Sequence, residues 1–192
     1  MSTQSKPYLT PEQYLEIERK AELKSEYYQG EMFAMAGASF AHGQVVMNAS
    51  GELRNQLRGQ PCQPVTTEVR VCVASDGLYT YPDIVVVCGK PQFLDNKFDT
   101  LLNPTVIIEV LSESTEAYDR SKKFELYGAL ASLKEYVMIS SLRVHAERYT
   151  REPDGTWNYD GKTKMEDTID LKSIDCRLSL ADLYERVDFT RA

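Results

Sequence analysis

The sequence predicts an α/β fold, a mixed β-sheet flanked by helices and preceded by an N-terminal helix and a hairpin. Three observations point there. Two short apolar runs, Ile84 to Cys88 and Val106 to Ile108, have the length and character of strands covered on both faces. Segments with apolar residues every three or four positions lie before and after them, as amphipathic helices require. Strand, strand, helix and strand follow one another in the middle of the chain, with a helix and a hairpin before them, an order that gives a mixed sheet flanked by helices.

The first helix begins at Thr10, an N-cap followed by Pro11 at the first helical position and by Gln13, which completes a capping box. It runs to about Lys20. In SEYYQGEMFAMAG, Gln29-Gly30 separates two short aromatic and apolar runs and predicts a tight hairpin with Glu26 on its first strand. From His42 to Arg58 the residues Val45, Ala49, Leu53 and Leu57 form one apolar helical face, and Gly59 ends the helix. Val65, Thr67, Val69, Val71 and Val73 then alternate with Thr66, Glu68, Arg70 and Cys72, the period of a single half-buried strand.

Asp76-Gly77 supplies a turn into a second strand, TYPDIVVVCG. A polar loop around Asn96 leads to the strand in PTVIIEVLSEST. A helix is expected from about Ala117 to Ser132, buried along Phe124, Tyr127, Gly128 and Ala131, before the strand EYVMIS. Alternation through Arg143, His145, Glu147 and Tyr149, a turn at Asp154-Gly155 and a return around Trp157 predict an antiparallel hairpin. Ser179, with Asp182 three residues on, caps a last helix.

A chain of 192 residues is expected to form a single domain, residues 1–192. No apolar run approaches the roughly 20 residues that span a bilayer, and MSTQSKPYLT lacks a secretory apolar stretch, so a cytoplasmic location without membrane contact is expected. Cys62, Cys72, Cys88 and Cys176 never form a C-x-x-C pair, which removes the usual zinc and thioredoxin-like sites and leaves four reduced thiols as the expectation. The net charge of −7 disfavours nucleic-acid binding as a global property, although binding depends on local patches and metal-binding carboxylates add negative charge of their own. Two sets of arginines could face DNA or be ordinary solvated residues: Arg54, Arg58 and Arg70, and Arg143, Arg148 and Arg151.

Asp83 immediately precedes IVVV, and Glu109 is enclosed by VII and VL. Charged residues are almost never fully buried unless they are paired or ligating. On neighbouring strands the two carboxylates could hold a hard divalent cation such as Mg²⁺. Otherwise Asp83 caps a turn after Pro82, and Glu109 pairs with a basic side chain. His42 and His145 have no partner by spacing and receive no catalytic role.

The ordered segments YPDIVVV, PTVIIEVLSEST, YDRSKKFELY and EYVMIS, with YLTPEQYLEIE and SEYYQGEMFAM before them and LSLADLY after, resemble the Uma-type restriction endonuclease family of the PD-(D/E)xK nuclease superfamily. That resemblance covers nearly the whole chain. It implies a restriction-endonuclease-like sheet and a Mg²⁺-dependent DNA endonuclease, with Mn²⁺ as a substitute metal and a homodimer as an assembly open to it. It implies Asp83 and Glu109 as catalytic metal ligands and Glu26 as a third carboxylate, although by pattern alone Glu26 reads equally as a solvent-facing hairpin residue. The superfamily's lysine two residues after the second carboxylate is replaced by Leu111, and the resemblance offers Lys123 on the following helix instead. A lysine in that role need contribute little to the stability of the folded chain. Without the resemblance, Lys123 reads as a solvated partner of Asp119 at i, i+4. Two alternatives stay open: a catalytically impaired nuclease-fold module that binds DNA or protein, and a metal hydrolase acting on a small phosphoester.

Overall fold

The computed structural model describes residues 8–73 and 77–191. Helix α1 (Pro11–Glu18) starts at the expected capping box, Thr10 and Gln13 each bonding the other's backbone. The hairpin β1 (Ser25–Tyr28) and β2 (Glu31–Ala34) turns at Gln29 and Gly30, whose φ angles of 46° and 92° are what a two-residue turn of type I′ demands. Helix α2 (Phe40–Gln56) begins at Ser39, whose hydroxyl accepts from the His42 amide, and buries Val45, Ala49 and Leu53.

The expected strand from Val65 to Val73 is two strands, β3 (Cys62–Thr66) and β4 (Arg70–Val73), in different sheets. A turn closed by Val69 N–H and the Thr66 carbonyl separates them. The strand read in TYPDIVVVCG divides likewise into β5 (Leu78–Thr80) and β6 (Ile84–Cys88). Pro82 has no amide to donate, which ends the first ladder. Asp76 of the expected turn lies outside the described residues. Further on come β7 (Thr100–Leu101) and β8 (Val106–Leu111).

The expected helix from Ala117 to Ser132 is shorter and irregular. It consists of α3 (Glu116–Tyr118), a π-helical turn (Asp119–Lys123) and α4 (Phe124–Tyr127), which ends at Gly128. Leu126, Tyr127 and Leu130 carry its burial, Phe124 is half-buried, and Ala131 lies exposed beyond the helix. Strands β9 (Glu135–Ser140), β10 (Ala146–Arg151) and β11 (Trp157–Lys162) follow as expected, then a ribbon of β12 (Thr168–Leu171) and β13 (Cys176–Ser179). Ser179 precedes the one-turn α5 (Leu180–Leu183), but its side chain makes no capping bond.

The strands form a six-stranded mixed sheet ordered β11-β10-β9-β8-β6-β3, with β8 and β9 parallel, and a five-stranded sheet ordered β2-β1-β5-β4-β7. One face of the larger sheet packs through Ile84, Val86, Ile108 and Val110 onto α2, α5 and the β12–β13 ribbon. The other packs through Val85, Ile107, Tyr136 and Met138 onto Leu126, Tyr127 and the strands β4 and β5. Among the described residues no helix is long and apolar enough to cross a membrane.

Two expectations are corrected by packing. Antiparallel pairing of β3 with β6 sets Cys62 directly opposite Cys88, and the two form a disulfide, whereas Cys72 and Cys176 are buried free thiols. Arg70, read as a DNA-facing residue, is 3% exposed. Its guanidinium lies between the Tyr14 and Tyr81 rings and 3.4 Å from Asp99. Arg148 and Arg151 are also occupied within the fold, Arg148 with Asp160 and the Asp170 carbonyl, Arg151 with Gly128 O and the Trp157 ring.

Asp99 also accepts two hydrogen bonds from Arg19, at 2.7 and 2.9 Å. The Arg19 bonds, with help from Thr100 and Arg70, hold its carboxyl down to about 2 against the opposing effect of burial. A depressed folded pKa stabilises the native chain above the unfolded value of about 4, and that stabilisation disappears as pH falls through the folded value. Asp99→Asn should therefore melt below the parent near neutral pH, with the two melting temperatures converging as thermal denaturation is repeated down to about pH 2.

Candidate functional site

The chain passes from the smaller sheet to the larger one through Tyr81, Pro82 and Asp83, between β5 and β6. Tyr81 pins this crossing by donating its hydroxyl to Glu18 at 2.9 Å. Ile84 is registered opposite Ile108, so Asp83, one residue earlier, comes opposite Glu109, one residue later. Each carboxylate accepts from the other's strand. Glu109 Oε2 takes the Asp83 amide at 3.4 Å, and Asp83 Oδ2 takes the Val110 amide at 2.8 Å.

Glu109 points to the side of the π-helical turn. Lys123 Nζ lies 2.9 Å from Glu109 Oε1, 3.2 Å from Glu26 Oε1 and 3.4 Å from Asp119 Oδ1. Glu26 arrives from β1, across from β5, where Thr80 donates its hydroxyl to it. Tyr127 donates to Glu109 at 2.8 Å, and Tyr136 holds the turn by donating to the Asp119 carbonyl at 3.2 Å. The turn sets Asp119 and Lys123 inward, both buried, while Lys122 points out to Glu125 and the Tyr28 ring. Turns of this kind are rare and recur at functional sites.

Burial pushes the Glu109 carboxyl up to about 8; the charges of Asp119 and Asp83 add to that, and Lys123 opposes it. Asp119 is raised for the same first reason. Burial alone would discharge Lys123, but Glu109, Tyr127, Glu26 and Asp119 hold its ammonium well above the ordinary lysine value. Four carboxyl groups, Asp83, Glu109, Glu26 and Asp119, thus gather near one ammonium, a surplus of acid in a confined place. The donors are hard oxygens with no thiol among them, a set that fits Mg²⁺ or Mn²⁺ better than zinc. Among the described residues no three His, Cys, Asp or Glu side chains form a ready-made metal cage. The protein's own lysine fills the centre of the cluster.

The structure brings Asp83, Glu109, Glu26 and Lys123 together. Reasoning from sequence missed His42, whose Nε2 lies 3.3 Å from Asp83 Oδ2. Burial opposes protonation of its ring, but Asp83 and the Val110 backbone raise its pKa overall. The signal was present, because His42 heads the buried stripe of Val45, Ala49 and Leu53 at i, i+3, i+7 and i+11. Tyr127 was read only as core and Asp119 only as a surface partner, and Thr80 went unnoticed. His145 bonds Glu147, within a network that includes Arg120 and Glu116.

An acidic residue entering one central strand, a second inside its neighbour and a lysine from the following helix, on a mixed sheet covered by helices, define a restriction-endonuclease-like α/β protein. Residues 11–181 match the model of the Uma2 family, described as "Putative restriction endonuclease", and the chain belongs to that family. It is 34% identical over 186 residues to the uncharacterised protein slr1290 of Synechocystis sp., covering 95% of each chain. It is likewise 34% identical to the uncharacterised protein sll1609 of the same organism over 149 residues, 78% of this chain and 84% of the other. Its fold is similar to the crystal structure of a DUF820 protein from Anabaena variabilis described as a "putative nuclease", with a TM-score of 0.74, 16% identity, and coverage of 92% of this chain and 97% of that one.

The burial of Lys123 corrects the expectation that it matters little to stability. Removing one partner of a buried ion pair leaves the other uncompensated, at a cost of about 3 to 5 kcal/mol. Lys123→Ala should lose about that much unfolding free energy in the presence of a chelator, whereas Lys122→Ala, at an exposed ion pair, should leave the denaturation midpoint nearly at the parent's. Equal denaturation midpoints for the two variants would refute the buried placement.

Proposed function

We propose that the protein is a divalent-metal-dependent DNA endonuclease that hydrolyses phosphodiester bonds. The observation that carries this reading is the meeting of Asp83, Glu109, Glu26 and Lys123 where the two sheets join, in a chain whose family bears a nuclease description. Asp83 and Glu109, with Glu26 as a third carboxylate, would hold Mg²⁺, or Mn²⁺ in its place. An ion held there would polarise a phosphodiester and make an attacking water more acidic. Lys123 places a protonated ammonium beside Glu109, where it stabilises negative charge developing on the phosphate. Tyr127 fixes the Glu109 carboxylate, and the Val110 amide fixes Asp83.

DNA is the partner this reading requires, the cytoplasm is the place, and a two-fold dimer is the assembly that would address both strands of a duplex. With Arg70, Arg148 and Arg151 engaged inside the fold, Arg54 on the exposed side of α2, Arg58 just beyond that helix and the exposed Arg143, which pairs with Glu116 at 3.2 Å, remain to meet phosphates. A second reading, a DNA- or protein-binding module without catalysis, draws on Leu111 and on the mutual neutralisation of Lys123 and its carboxylates.

Plasmid and oligonucleotide substrates incubated with the parent should be cleaved with Mg²⁺ or Mn²⁺ and spared with chelator. Asp83→Asn, Glu109→Gln and Lys123→Gln, assayed well below their melting temperatures, should each lose about a hundredfold or more in rate. Undiminished cleavage by the two carboxylate variants would sink the nuclease reading. A parent that binds DNA yet cleaves nothing under any of these conditions would establish the module.

A further inference from the structure

The metal reading of Asp83 leaves His42 without a task, yet His42 is held more firmly than an idle side chain needs. Its backbone amide donates to the Ser39 hydroxyl that caps α2. Its ring Nε2 lies 3.3 Å from Asp83 Oδ2. The same oxygen accepts the Val110 amide at 2.8 Å. Helix α2 is itself fixed, since Val45, Ala49 and Leu53 pack against the sheet beside Ile108 and Val110.

A carboxylate at the entry of a strand, 19% exposed, would otherwise rotate freely about its side-chain torsions. With the Val110 amide bonded to Oδ2 and the His42 ring set against that same oxygen, the carboxylate is restrained from one side and Asp83 Oδ1 remains to offer a cation. Groups that orient a ligand from outside commonly change metal affinity by about 10- to 100-fold when removed.

Resting on the reading of Asp83 as a metal ligand, we propose that His42 is a positioning residue that orients the Asp83 carboxylate for a divalent cation, from the helix on the opposite face of the sheet from Lys123. It touches no substrate and acts only through Asp83. Its nearest chemical substitute is glutamine, whose amide can present a donor to the same oxygen, whereas leucine keeps bulk and loses the donor.

Mn²⁺ alone is the probe, and electron paramagnetic resonance titration of free against bound ion is the readout, with no DNA present and with folding checked by thermal denaturation. His42→Leu should bind Mn²⁺ at least about tenfold more weakly than the parent, and His42→Gln should recover most of the loss. Parent-like binding by His42→Leu while Asp83→Asn loses the ion would overturn the positioning role and leave the metal site standing. Equal weakening in the leucine and glutamine variants would also overturn it, by making the ring's shape rather than its donor the cause. Parent-like binding by Asp83→Asn would overturn the metal site and this role with it.

Discussion

The arrangement depends on one constraint: three carboxyl groups are gathered around a single buried ammonium where two sheets join, with a fourth, Asp83, set against Glu109 beside them. Carboxylates cannot be taken out of water unpaired, so each neighbouring element is recruited to satisfy them. The π-helical turn delivers Lys123 and Asp119 together, Tyr136 ties that turn to β9, and Tyr127 and Thr80 donate to Glu109 and Glu26. Even the course of the chain serves the cluster, because the crossing at Pro82 brings β6 into register with β8 so that Asp83 meets Glu109.

Much of this could be read from the sequence, and the reasons are specific. Asp83 and Glu109 were visible because they interrupt apolar runs, and the Gln29-Gly30 hairpin because a type I′ turn restricts its residues. What stayed hidden depends on contacts distant in sequence. A period-two pattern from Val65 to Val73 fits one strand or two equally well, since alternation reports which face a side chain takes and not which sheet it joins. Arg70 looked like a surface residue because nothing local announces Asp99 and two tyrosine rings. The Cys62–Cys88 bond follows from strand register alone. The π-helical turn has no periodicity to betray it over five residues.

The acidic balance of the chain also has a local cause. Much of its basic charge is committed to internal pairs, as in Arg19 with Asp95 and Asp99, Arg120 with Glu116 and Glu147, and Lys123 with its three carboxylates. Net charge therefore says little about how a phosphate would be met; the arginines left on the surface say more.

In both sheets the carboxylate cluster lies among interior strands, β5 on one side and β6 with β8 on the other, while β2, β7, β11 and β3 form the outer edges. Lengthened hairpins, inserted loops or a fused neighbour at those borders would change what the molecule can embrace without disturbing the strand pairing that sets Asp83 against Glu109. A scaffold built in this way lets its borders diversify separately from its centre, so descendants could change in shape while inheriting the same buried cluster.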